Sequence, residues 1–399
     1  MDRFNLIVIN HQKKINHYLI LILTIVLLLL ASIYLIKGFY TLTLVDLKQD
    51  GAKDLFSRWQ EQQYIYQGLY PYDINKDSPN LDPNIGVITS GGYLPWSFFT
   101  GFFLIPKISW PAIRIYHALL NFIALGVISL FAYKIGLNYG RLRAGLFVAS
   151  VLAISSNCTT LNLGQYGLII NALLCGVFWC LEANQKTAAG ILFGLAMVKP
   201  NISAMYFFIL VFKKKFQSLI AFFLYMLVAN LVISWQLKRN PISLVDRILQ
   251  QSKYFSDKGT SAIDLGVNLG LETQLTVLLM IVISGILVSG IFYLLRNYSL
   301  LTFFAIACVT GRVFTYHLYY DNVMLVFLLI ALLNLACRNP NKLNIFMYLL
   351  VGITLWIPAS LRRMGGETYE IIEIIIWCLS LVYLIIAVKS KNFSLKANH

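Results

Sequence analysis

The sequence predicts an all-α fold, a polytopic membrane helical bundle of about twelve transmembrane helices, and three observations carry that prediction. Of 399 residues 58% are apolar or aromatic and only 12% are charged, with mean hydropathy +0.71, whereas a soluble globular domain runs near a quarter charged. Runs such as 18–36 are long enough, at 1.5 Å rise per residue, to cross a hydrocarbon core about 30 Å thick. The third observation is the placement of the charge. The net +15 is not spread as a nucleic-acid footprint but sorts by side of a membrane, so no nucleic-acid partner is expected. A soluble enzyme, a porin-type barrel and a disordered scaffold are excluded. The six cysteines (Cys158, Cys175, Cys180, Cys308, Cys337, Cys378) lie in or beside apolar runs, without the spacing of a disulfide framework or a zinc site.

The spans follow in order. The first, 17–37, comes after a sixteen-residue N-terminal stretch that carries Asp2, Arg3, Lys13 and Lys14, without a small-residue cleavage site, and reads as a retained helix. Six central spans cover 112–135, 143–158, 165–183, 187–198, 201–212 and 216–235. Five more cover 273–295, 299–313, 318–337, 343–360 and 369–388. With Lys13 and Lys14 placing the N-terminus inside, the inner loops hold sixteen basic residues against Asp2 and Glu182. The outer side holds the other sixteen basic and fifteen acidic residues, as the positive-inside rule requires. Both termini are therefore cytoplasmic, in a cell inner (plasma) membrane. Counting 93–106 as a crossing would break this parity; with Pro95 and Pro106 in so short a run, it reads as a re-entrant or interfacial helix. The chain is one integral-membrane domain, 1–399, with two long outer loops at 38–111 and 236–272, so any chemistry faces outward.

The first outer loop is the richest. Residues 54–67 read as an interfacial helix with Leu55, Phe56, Trp59 and Ile65 toward lipid and Asp54, Arg58 and Glu61 on another side. A carboxylate there, near a cation, can act as general base on a hydroxyl presented at the membrane surface; the plainer reading is that Asp54 caps the helix. Farther on, Lys199-Pro200 interrupts two apolar segments of about twelve residues. A lysine at membrane depth snorkels, faces a wet cavity or meets an anion, and is a functional candidate by default. Arg312 and His317 sit at the outer ends of the ninth and tenth spans, with Asp321 one turn on and able to orient the imidazole. The plain alternative is a histidine bonded to a loop carbonyl.

These residues carry a resemblance. Asp54, Trp59, Gly68, Pro71 and Tyr72, followed by Gly92-Tyr93-Leu94-Pro95, resemble the first-loop signature of the family 87 glycosyltransferases of the C-type superfamily, in which an acidic residue stands fourteen positions before a Gly-x-x-Pro-Tyr turn. Gly164-Gln165-Tyr166-Gly167 resembles that family's Gly-Gln-x-Asn loop, Ala189-Gly190 through Lys199-Pro200 its Ala-Gly…Gly-Leu…Lys segment, and Tyr316-His317-Leu318-Tyr319 its Trp-x-His-His stretch. The departures are Leu94-Pro95-Trp96 for Tyr-Pro-Pro, Tyr166 after Gly164-Gln165, and a single histidine, His317.

The resemblance implies a C-type glycosyltransferase fold. It implies an inverting transfer of a hexose, mannose above all, from a polyprenyl-phosphate donor to a hydroxyl of a glycolipid or glycan acceptor, on the outer face of the lipid bilayer. Asp54 would be the general base. Lys199, Arg312 and His317 would hold the donor phosphate, and Gln165, Glu61, Tyr72 and Tyr93 would touch acceptor or sugar. No cofactor is implied and no metal is expected, one carboxylate with a lysine and a histidine being no cage for a hard cation. Neither large outer loop contains Asp-x-Asp. Two rivals share the topology: a secondary transporter or lipid flippase with a midplane site at the broken helix, and a ligase or polymerase of lipid-diphosphate glycans.

Overall fold

The structure, a computed structural model, describes residues 2–49, 51–88, 92–244 and 262–396. Residues 245–261 of the second outer loop thus lie outside the described residues. Among the described residues every regular element is an α or 3-10 helix. The α-helices are α1 Asp2–Leu44, α2 Lys53–Tyr66, α3 Pro95–Leu104, α4 Trp110–Leu137, α5 Arg141–Leu152, α6 Ser155–Leu163, α7 Gly167–Glu182, α8 Lys186–Ala196 and α9 Pro200–Ser203. They continue with α10 Phe207–Phe212, α11 Phe216–Leu237, α12 Ala262–Asn268, α13 Thr273–Leu294, α14 Leu300–Phe314, α15 Val326–Arg338, α16 Lys342–Trp356 and α17 Ala359–Lys396, the last kinked at Gly366.

Among the described residues six helices are long and apolar enough to cross a membrane alone, and α5 with α6, bent by 45°, makes a seventh if counted as one span. Five other expected spans are built on shorter apolar helices: α7, α8, the broken run Pro200–Phe212, α14 and α16. Proline marks the breaks, standing in the first turn of α3, α4 and α9, where its missing N–H costs nothing.

Loops assigned to one side by charge meet one another. Lys213 Nζ donates to the carbonyls of Arg296 at 3.0 Å and Tyr298 at 2.7 Å, and Gln217 to Thr187 at 3.0 Å. At the opposite end the two large loops join, through Tyr70 Oη to the Leu244 carbonyl at 3.1 Å and the Arg239–Asp73 ion pair at 2.5 Å. Between them lies an edge-to-face aromatic core of Phe131, Phe178, Tyr206, Phe304 and Phe327, ring centroids 5.0–5.8 Å apart.

One reading of the first loop is corrected. Leu55 and Ile65 do not face lipid: both are fully buried, and Trp59 stacks on Phe56 and leans on Trp110 at 6.0 Å. Helix α2 is wrapped by α3, α4, α6 and the 67–88 loop, so its apolar stripe serves protein packing. Arg114 caps the C-terminus of α1, donating to the carbonyls of Thr41, Leu42 and Val45 at 2.6–3.1 Å.

Candidate active site

The site begins with a turn that fixes α2. Ala52 adopts a left-handed conformation, φ 55°, and its N–H donates to the Asn162 carbonyl at 2.8 Å. Gly164, φ +70°, ends α6 so close to α2 that a Cβ there would lie 2.4 Å from Leu55 Cβ. Only glycine satisfies both demands. The N-cap position of α2 is therefore Ala52, and Asp54 makes no capping bond of its own helix. The plainer reading of Asp54 is overturned because the chain enters α2 two residues before it.

The carboxylate looks across to the turn instead. Gln165 Nε2 donates to Asp54 Oδ2 at 2.5 Å, while Gln165 Oε1 accepts from Lys199 Nζ at 3.2 Å. Lys199, in the break before Pro200 with only 8% of its surface exposed, pairs with Asp321 Oδ1 at 2.6 Å. Asp321 Oδ2 lies 3.2 Å from His317 Nδ1. The ring's other nitrogen is 2.8 Å from Thr315 Oγ1 and 3.2 Å from the Gly311 carbonyl. Five side chains from four segments, Asp54, Gln165, Lys199, Asp321 and His317, thus form one hydrogen-bonded chain. Tyr320 floors it, with Lys199 Nζ 4.7 Å above its ring. Asp54 keeps about intermediate exposure, so the chain opens to the surface at its carboxylate end.

Polar residues of α6 and α7 hold the far wall. The segment Tyr319–Leu325 is a 3-10 helix that sends carbonyls outward. Ser156 Oγ donates to Tyr319 O at 3.1 Å, Thr160 Oγ1 to Tyr320 O at 3.0 Å and Asn171 Nδ2 to Val323 O at 2.9 Å. Asn201 and Thr315 tie the 315–316 stretch to the α9 break. Sequence reasoning missed these supports, although the run Ser155-Ser156-Asn157-Cys158-Thr159-Thr160 inside an apolar span was their signal.

The remaining predicted residues fall beside the chain. Glu61 Oε2 pairs with Arg58 Nη1 at 2.6 Å, and that guanidinium lies 4.0 Å from the centre of the Tyr93 ring. Burial works to lower the Arg58 pKa, but the Glu61 carboxylate together with Tyr93, Tyr72 and Tyr166 outweighs it, and the pKa lies above the ordinary range. Burial pushes the Tyr93 phenol up, so it stays protonated. Tyr72 Oη accepts the Tyr93 N–H at 2.9 Å, and Tyr93 meets Tyr166 edge to face at 6.1 Å. This aromatic and ionic cluster shares α2 with Asp54, one and two turns on. Arg312 is 2% exposed, its Nε donates to Asn322 Oδ1 at 2.7 Å, and its guanidinium lies 5.6 Å from the Trp377 ring.

A lysine, two carboxylates and a histidine joined through a glutamine, at one end of a membrane bundle, match the order of motifs read from the sequence. Compared with known families, residues 97–360, well over half of the chain, match glycosyltransferase family 87. The chain belongs to glycosyltransferase family 87. No curated protein matches it. This family 87 member is a membrane glycosyltransferase, and Gln165, Lys199, Arg312, His317 and Asp321 lie inside the matched stretch. Asp54, Arg58, Glu61, Tyr72 and Tyr93 precede it. The helix that carries Asp54 is nevertheless clamped to the matched part by the Ala52–Asn162 bond and the Leu55–Gly164 contact.

Proposed function

We propose that this glycosyltransferase moves a hexose, mannose in the first instance, from a polyprenyl-phosphate carrier to a hydroxyl of a glycolipid or glycan acceptor. The single observation that carries the reading is that Asp54 and Lys199, 145 positions apart, are both bonded by the one Gln165 amide that stands between them. Asp54 takes the proton of the acceptor hydroxyl as its oxygen bonds the anomeric carbon. The bond from that carbon to the phosphate oxygen breaks on the opposite side, the configuration inverts, and polyprenyl phosphate leaves. Lys199 meets the charge that grows on the phosphate, positioned by Asp321, with His317 bracing that carboxylate. Arg312 acts at one remove, fixing Asn322 and so the 3-10 segment. The Arg58–Glu61 pair with Tyr72 and Tyr93 offers ionic and stacking surfaces for the acceptor sugar.

The charge distribution supports a site on the outer face of a plasma membrane with both termini cytoplasmic, and the shorter apolar helices complete a C-type bundle of about twelve crossings. The scheme uses no metal, because Asp54 Oδ2 is taken by the Gln165 amide and Asp321 by Lys199, where a hard cation would need further oxygens. The test is turnover by the purified protein in lipid nanodiscs. Polyprenyl-phosphate mannose should be consumed at a rate unchanged by a chelator, its diphosphate counterpart should not, and Asp54→Asn should stay monodisperse while losing transfer about a hundred-fold or more. Turnover that survives Asp54→Asn sinks the assignment, and use of the diphosphate donor moves it to a glycan ligase.

A further inference from the structure

Gln165 contacts both of the groups that the proposed reaction needs free. Its Nε2 gives Asp54 Oδ2 the hydrogen bond that an acceptor hydroxyl would give, at 2.5 Å, and its Oε1 takes from Lys199 the bond that a phosphate oxygen would take, at 3.2 Å. In a near-attack arrangement the attacking oxygen lies about 3 Å from the anomeric carbon, in line with the leaving oxygen. The Gln165 amide stands across the path those atoms must occupy. Its backbone is pinned, the N–H bonded to the Thr160 carbonyl at 2.9 Å directly after the left-handed Gly164. The side chain, by contrast, has three rotatable bonds and among the described residues makes no other bond that competes with these two.

We infer that Gln165 is a placeholder that copies acceptor and donor in the resting enzyme and so favours transfer over hydrolysis of the donor. The inference rests on Asp54 being the base and Lys199 the phosphate partner. Without the amide, a water on Asp54 would give up its proton to the carboxylate while its oxygen bonds the anomeric carbon, releasing free sugar and polyprenyl phosphate. With the amide in place, the Oδ2 position is taken until an acceptor hydroxyl replaces Nε2. A residue that merely packed the site would have no reason to offer a donor to the base and an acceptor to the cation at once.

The experiment has two arms in lipid nanodiscs. In the first, Asp54 is labelled with a water-soluble carbodiimide and its modification followed by peptide mass spectrometry, with no substrate present. Gln165→Ala and the length-matched Gln165→Met should both label faster than the parent, Ala by about ten-fold, the weight of one hydrogen bond to a charged group. In the second, polyprenyl-phosphate mannose is supplied without acceptor, and free sugar release should rise by about ten-fold in Gln165→Ala and less in Gln165→Met, which still fills space. Unchanged labelling in both variants overturns the placeholder whatever the donor. Faster labelling with free sugar release that falls overturns it too, because Gln165 is then a substrate ligand. If Gln165→Ala does not fold, Gln165→Met carries both arms, with any rise supporting the inference and none overturning it. A parent enzyme inert toward the monophosphate donor, yet with labelling that responds to Gln165, would refute the proposed donor and leave the placeholder geometry standing.

Discussion

The lipid-facing helices and the site-forming helices of this protein are built to opposite rules. Over their most apolar stretches α1 and α13 bury only 22% of their residues inside the protein, whereas Tyr319–Arg338 buries 83%. The first kind is long, unbroken and almost free of polar groups. The second is short and interrupted by Pro200, Gly164 and a 3-10 segment, and it carries the buried Lys199, Asp321, His317 and the polar α6 run. Backbone can be broken at membrane depth only where protein satisfies the freed carbonyls, which Ser156, Thr160 and Asn171 do here. Substitutions should therefore hurt in proportion to how much of this internal polar frame they touch.

The largest effect is expected at Lys199. Lys199→Ala takes the bonded ammonium from the buried Asp321 carboxylate, and breaking a buried pair costs about 3–5 kcal/mol. The variant should lose transfer entirely and unfold at lower temperature in detergent. Lys199→Met with Asp321→Leu removes both charges, and should recover most of the stability and none of the activity. A double variant as unstable as the single one would mean that the pair itself, rather than an orphaned charge, holds the fold.

Next comes the clamp between the two halves of the site. Gly164→Ala places a methyl 2.4 Å from Leu55 Cβ on a backbone with φ +70°, and strain with overpacking should cost about 1–3 kcal/mol. Because the displaced turn carries Gln165 and the displaced helix carries Asp54, transfer should fall more than stability does. Leu55→Gly in the Gly164→Ala background removes the Cβ that is struck and should return part of the transfer rate, which a double-mutant cycle measures. No recovery would assign the whole defect to the backbone angle.

The same comparison explains what was legible in the sequence. Long spans announce themselves because a lipid environment imposes one simple rule, and α1, α4, α11, α13 and α17 lie where the apolar runs are. Lys199 was legible because a charge and a proline in an apolar run have few innocent explanations. Its pairing with Asp321 joins residues 122 positions apart, and nothing in either neighbourhood encodes the other. Asp54 was legible as a candidate, but the cap reading failed because the entry into α2 is set by a left-handed Ala52 whose N–H is held by Asn162, a tertiary contact. The lipid-facing stripe on α2 failed for a related reason: an apolar stripe records the need for apolar neighbours and is silent on whether they are lipid tails or Trp110. The polar run of α6 was passed over because its hydrogen-bond partners lie about 160 positions away.

The smallest effect is expected on the lipid face, and it separates the two environments most directly. Leu278 on α13 is 59% exposed at the protein surface, and Ile306 on α14 is fully buried. In water both would be expected to drive burial. In a bilayer the tails around Leu278 are as apolar as leucine itself, so removing its methyls creates no cavity that lipid cannot fill. Leu278→Ala should therefore change the unfolding temperature in nanodiscs by an amount equivalent to less than about 0.5 kcal/mol. Ile306→Ala opens a void among Ala305, Phe303 and the aromatic core that no lipid can reach, and should cost about 2–4 kcal/mol. Equal losses at the two positions would mean that α13 packs against protein in the membrane, and the division between lipid-facing and site-forming helices would have to be redrawn at that helix.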